Sequence, residues 1–129
     1  MGIDYKTESQ ARGKQSVKFT TPVYLVNSAS VVGKKEGEGP FGDRFDVIIQ
    51  DDKDGFSTWE EAESALQRDA VTTLLKKSGI RTENIKYLFA GDLLGQSIAS
   101  TFGLMTFEIP YIGLYGACST CGLSISLGS

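Results

Sequence analysis

The strongest pattern in the chain lies between Trp59 and Leu75. Trp59, Ala62, Leu66, Ala70, Val71, Leu74 and Leu75 recur three or four residues apart, with charged and polar residues between them. That spacing places the apolar side chains on one face of a helix. Ser57-Thr58-Trp59-Glu60 precedes it as a capping box, with Ser57 accepting from the backbone and Glu60 reaching back. Trp59 reads as the packing anchor of the first turn. Lys76 and Lys77 suit the negative helix end, and Gly79 supplies the left-handed residue that stops it.

The other apolar runs are short and read as strands. Ser16–Thr20 alternates ahead of Pro22, which predicts an edge strand. Val23–Val32, with Val23, Leu25, Val26, Val31 and Val32, predicts a buried strand with small neighbours. Tyr87–Ala90 and the stretch from Tyr111 predict two more. Thr82–Ile85 predicts a one-turn helix capped by Thr82, and a longer helix is expected from about Leu93 to Thr106. Strands alternating with helices imply an α/β fold, a mainly parallel sheet covered by helices.

Two segments lack such periodicity. Met1–Arg12 is polar, and positions 1–15 are expected to form a flexible tail ahead of a domain spanning 16–129. Gly33–Asp54 is glycine- and charge-rich and predicts a long loop that contacts a partner. Its lysines precede the glycines, and no Gly-Lys-Ser/Thr follows, which argues against a phosphate cradle. Asp51, Asp52 and Asp54 resemble a calcium loop only in part, because the twelfth position is Ala62 where a glutamate is needed. A solvated acidic turn fits better.

Composition narrows the function classes. With 40% apolar and 22% charged residues in 129, the chain is an ordinary globular domain. A net charge of −3 without a basic run argues against nucleic acid. No apolar stretch reaches the roughly 20 residues of a membrane span, and the N-terminus does not read as a signal peptide. Cytosolic synthesis is expected, with later docking on a membrane protein left open. Two cysteines three positions apart are no secreted disulfide framework. No histidine is present, so no Ser–His or Cys–His pair forms within this chain.

The candidate chemistry sits in Tyr111-Ile-Gly-Leu-Tyr-Gly-Ala-Cys-Ser-Thr-Cys-Gly122: a buried strand, a glycine turn, and Cys118 at the start of a helix. Unpaired N–H groups and the helix dipole at such a place stabilise a thiolate or a bound carboxylate. Three readings stay open. Cys118 is a nucleophile at a sharp turn with an anion pocket around it. Alternatively, Cys118 and Cys121 form a C-x-x-C redox pair. In the third, small residues let helix approach sheet and both thiols are buried. Zinc is disfavoured, since this motif supplies two ligands of four. Asp92 ends a strand, where α/β proteins place ligand contacts, or it caps the helix that follows. Gln96, Ser97 and Ser100 on that helix are expected to face solvent.

Five segments together carry a resemblance: Gly37-Glu-Gly-Pro-Phe-Gly-Asp-Arg-Phe-Asp46, Trp59-Glu-Glu-Ala62, Leu88-Phe-Ala-Gly-Asp-Leu93, Ile109-Pro-Tyr-Ile-Gly-Leu114 and Gly116-Ala-Cys-Ser-Thr120. They resemble, in order, the N-terminal half of the stage V sporulation protein AD family, thiolase-like proteins of endospore formers. The resemblance implies one of two similar layered halves, this one carrying the cysteine and the other the histidine or asparagine groups that complete catalysis in thiolases. The uncapped apolar end, Cys121 to Ser129, agrees with a chain cut before its second half. The resemblance further implies non-catalytic binding of dipicolinic acid (pyridine-2,6-dicarboxylate, in free form or as its calcium salt) for uptake into the developing spore. Cys118 carries over from the family's pocket cysteine; Gly116 and Ser119 in the same turn, and Asp92 at the strand end, are the other candidate ligand contacts. No cofactor and no metal are expected. Expected partners are the membrane proteins of the same uptake complex at the forespore inner membrane and a second copy in a homodimer. An acyltransferase with Cys118 as nucleophile is the alternative.

Overall fold

A computed structural model describes residues 10–129. The reading of positions 1–9 as part of a tail lies outside the described residues. Six short strands and four α-helices follow in order: β1 (Ala11–Arg12), β2 (Ser16–Val17), β3 (Val31–Val32), α1 (Lys34–Gly37), β4 (Val47–Ile48), α2 (Trp59–Ser78), β5 (Leu88–Ala90), α3 (Ile98–Leu104), β6 (Tyr111–Gly113) and α4 (Thr120–Gly128). β3 pairs parallel with β4, and β5 with β6, each across a helical connection, so the chain is α/β. β1 and β2 form an antiparallel hairpin, which puts residues 11–12 in a strand and shortens the strand expected over Ser16–Thr20.

Helix α2 forms where the pattern places it, but its cap is shifted by one residue. Thr58 is the cap: its hydroxyl accepts the Glu61 N–H at 3.2 Å, and the Glu61 carboxylate accepts the Thr58 N–H at 3.1 Å. The Ser57 hydroxyl donates to the same carboxylate at 2.7 Å. The later register employs both hydroxyls and Glu61, whereas a Ser57–Glu60 box would strand Thr58. These donors hold the Glu61 carboxyl below its usual value, Ser57 foremost and the Thr58 N–H next. Gly79, at φ 68°, closes the helix with its N–H on Leu75 O. Trp59 is half exposed, with the Lys53 ammonium 5.1 Å above its ring, so it does not anchor the turn by burial. Small residues do that work: Ala62 and Ala65 are the buried positions of the helix.

Helix α3 crosses α2 closely. Ala99, Gly103 and Leu104 are buried there. The Ser64 hydroxyl donates to Ala99 O at 2.8 Å, and a Cβ on Gly103 would strike the Ser64 carbonyl. α3 is shorter than the Leu93–Thr106 helix expected from the sequence. Gln96 and Ser97 take left-handed backbone, φ 51° and 79°, and a 3₁₀ turn covers Met105–Phe107.

Two expectations are corrected. Of Val23–Val32 only β3 is a strand. Tyr24, Leu25 and Val26 are 79, 89 and 76% exposed, since among the described residues no strand pairs with this run. Gly33–Asp54 is not structureless: it holds α1, a 3₁₀ turn at Gly42–Arg44, and β4. Asp46 fastens it, accepting the Ser30 N–H at 2.9 Å and hydroxyl at 3.3 Å, and pairing with Lys77 of α2 at 2.7 Å. The Lys77 ammonium, with the Ser30 N–H behind it, holds the Asp46 carboxyl below its usual value. Polar neighbours masked the short apolar run Val47-Ile48-Ile49. The acidic turn after it forms as read, with Asp51 accepting the Gly55 N–H at 2.9 Å.

Candidate functional site

The carboxyl end of β5 opens onto a cavity of about 380 Å³, closed on another side by the turn into α4. Three elements bring its residues together. α2 contributes Glu63 and Gln67; the end of β5 and the turn after it contribute Ala90, Gly91, Asp92 and Leu93; α4 and the turn into it contribute Ala117, Cys118, Thr120, Cys121 and Ser124. This is the position that open α/β sheets give to ligands.

Gly91 has a steric reason to lack a side chain. A Cβ there would collide with the Leu114 carbonyl and approach the Thr120 methyl to 2.8 Å. β5 and the turn into α4 therefore touch backbone to backbone, and that contact brings Cys118 over the strand ends. Leu114 N–H donates to Ala90 O at 2.8 Å and extends the β5–β6 ladder toward the same point.

Asp92 is 3% exposed and its carboxylate is fully engaged. Oδ1 accepts the N–H groups of Ser97 at 2.9 Å and Gly95 at 3.4 Å; Oδ2 accepts the Ser100 N–H at 2.8 Å and hydroxyl at 2.9 Å. Of its two expected roles the carboxylate takes up capping: it caps α3 from outside while lining the cavity. Burial pushes its pKa up, but the N–H donors of Ser100 and Ser97 outweigh this and hold it below the usual carboxylate value. Ser100, expected in solvent, is wholly buried, and it is 2.8 Å from the Tyr111 hydroxyl. Tyr111 in turn donates to Ala90 O at 3.3 Å. Asp92, Ser100 and Tyr111 thus tie α3 to both strands of the pair.

Cys118 lies in the 3₁₀ turn Ala117–Ser119 that runs directly into α4, with both thiols exposed and unbonded. The third reading, in which both thiols are buried, is excluded. The sharp backbone falls on Ala117, at φ 49°. Much of the turn's donor capacity is consumed internally. The Gly116 N–H goes to Thr120 Oγ1 at 3.0 Å, the Ser119 N–H to Gly116 O at 3.0 Å, and the Thr120 N–H to Ala117 O. The cradle is consequently poorer in free donors than a bare helix start. Gly116 and Ser119 lie outside the cavity lining, and the Ser119 hydroxyl bonds Gly116 O at 2.6 Å.

Glu63 and Gln67 carried no sequence signal, being polar positions on an amphipathic helix. Glu63 Oε1 accepts the Leu93 N–H at 3.1 Å, and Gln67 donates to Gly91 O at 3.4 Å. Both steady the turn after β5. Glu63 Oε2 is buried and has no hydrogen-bond partner. Among the described residues no lysine, arginine or tyrosine lines the cavity. Among the described residues no group of three or more His, Cys, Asp or Glu side chains is placed to hold a metal, and no helix is long and apolar enough to cross a membrane.

The chain is thus an α/β unit that presents an exposed cysteine at a helix start, beside the end of a parallel strand pair. The family profile of stage V sporulation protein AD matches residues 13–129. Over 117 residues the chain is 33% identical to stage V sporulation protein AD of Bacillus subtilis (strain 168), covering 91% of this chain and 35% of that protein. The chain belongs to the stage V sporulation protein AD family. It spans about a third of the length of that relative.

Proposed function

We propose that this chain supplies the cysteine side of a thiolase-like ligand site that binds pyridine-2,6-dicarboxylate without chemical turnover, in the uptake of that compound into the developing spore. The observation that carries the reading is the cavity at the carboxyl end of β5. Its volume falls in the range of about 300–1,000 Å³ typical of small-molecule sites, and Cys118 stands exposed on its rim. Family membership supports the sporulation role. Membrane proteins of the same uptake complex at the forespore inner membrane, and a second copy of the chain, are the proposed partners.

Calorimetric titration of the full-length protein with dipicolinate tests this. Binding that weakens at least several-fold in Cys118→Ala is the expected result, and absence of binding by folded protein refutes the reading. The exposure of Cys118 also favours one second reading, acyl transfer with this thiol as nucleophile. Intact-mass measurement after incubation with acyl-CoA separates the two, because only the enzyme forms a thioester on Cys118.

A further inference from the structure

We infer that Glu63 selects the form in which a carboxylate ligand enters this cavity, requiring a proton or a divalent cation between its own carboxylate and that of the ligand. The inference rests on the proposed dicarboxylate site and adds the residue that governs its specificity. Three observations carry it. Glu63 lines the cavity through a carboxylate whose Oε1 is fixed by the Leu93 N–H, while Oε2 is buried with no partner. Such an atom keeps its desolvation penalty until a donor or cation reaches it. The terminal torsion of a glutamate is broad, so this carboxylate can turn to meet a ligand group in the cavity it lines.

The second observation is what faces Glu63. Among the described residues, the titratable groups across the cavity are Asp92 from the turn after β5, Cys118 from the turn into α4 and Cys121 from α4; Gln67 on its own helix is neutral. None brings positive charge. The third is that the N–H groups of Gly116, Ser119 and Thr120 are already spent inside the turn. A bare dianion here would meet two carboxylates and few free donors. A proton shared between Glu63 and a ligand carboxylate removes that conflict. So does a hard divalent cation chelated by the ligand, which takes six to eight oxygen ligands and has positions left for Glu63.

Titration calorimetry of the full-length protein, in buffers of different ionisation enthalpy, tests the inference with dipicolinate plus a strong chelator and with dipicolinate plus calcium. The metal-free ligand is expected to bind with uptake of close to one proton. Its affinity should fall by up to about tenfold per pH unit between about pH 6 and pH 8. Calcium should abolish both effects, because the chelated cation takes the place of the proton; proton uptake and pH dependence that persist unchanged with calcium overturn the role given to the cation. Glu63→Gln retains an oxygen for the Leu93 N–H and brings its own donor. It should bind the free dianion without proton uptake, at least tenfold tighter than wild type at the high-pH end. Wild-type binding that takes up no proton and ignores calcium overturns the inference and leaves the proposed function standing. No binding of any form by folded protein overturns both. Should Glu63→Gln fail to fold, the wild-type proton count and calcium response decide alone.

Discussion

Replacing Asp92 by alanine probes the joint on which the site is built. The carboxylate accepts three bonds of 2.8–2.9 Å, from the N–H groups of Ser97 and Ser100 and the Ser100 hydroxyl, and a longer one from Gly95. Hydrogen bonds to a charged group contribute about 1.5–3 kcal/mol each. These four share one turn and do not add, and the Ser100 hydroxyl keeps Tyr111 as a neighbour. A loss of about 3–4 kcal/mol is therefore expected, most of it from N–H donors left buried. Hydrogen exchange by mass spectrometry on the full-length protein reads this locally, because opening of one segment exchanges its amides without global unfolding. At one factor of ten per 1.4 kcal/mol, the amides at the start of α3 should exchange more than about a hundredfold faster in Asp92→Ala. Ser100→Ala, which keeps the Ser97 and Ser100 amide bonds, should change exchange by only about tenfold. The effect also carries a pH signature. The folded-state pKa of Asp92 lies below its unfolded value of about 3.9, so its contribution is present above that value and fades as pH falls through the lower folded one. The difference between wild type and variant should shrink under acid. A variant within about threefold of wild type at neutral pH would show that Asp92 does not hold the turn.

Three further outcomes follow from the packing. Thr58→Ala removes one half of the capping box and should destabilise α2 by about 1 kcal/mol, read as a shift in urea midpoint; no shift would mean that Ser57 and Glu61 suffice. Gly103→Ala should destabilise by about 1–3 kcal/mol by pressing a methyl into the Ser64 carbonyl, although alanine is the better helix former; a stabilised variant would refute the close crossing. A polypeptide of these 129 residues exposes Tyr24, Leu25, Val26, Phe102, Met105 and Ile125 and should self-associate; a monodisperse monomer by light scattering, with a sharp melt, would contradict that.

Some of this was legible along the chain and some was not. Helix α2 was legible because its apolar period, hydroxyl cap, terminal lysines and Gly79 are local signals that agree with one another. β5 and β6 were legible as short apolar runs closed by glycine. The turn bearing Cys118 was likewise readable, since small residues between a strand and a helix leave few alternatives. Exposure of the thiol was not: burial depends on what packs over a position, and only the folded chain sets that. The same applies to Val23–Val26, apolar by composition yet standing in solvent because no described strand lies beside it. β4 escaped notice because its apolar run is only three residues long and stands among glycine and charged residues.

The sequence by itself determined helix α2 and where the cysteine turn falls, because caps, periodicity and glycine act within a few residues of each other. Tertiary structure decided that Asp92 spends its carboxylate on α3, that Ser100 is buried, and that Glu63 reaches the cavity with one oxygen unpaired. Each of those facts depends on groups 8 to 30 residues apart meeting across a packed joint, where the balance of desolvation and hydrogen bonding is set by three elements together.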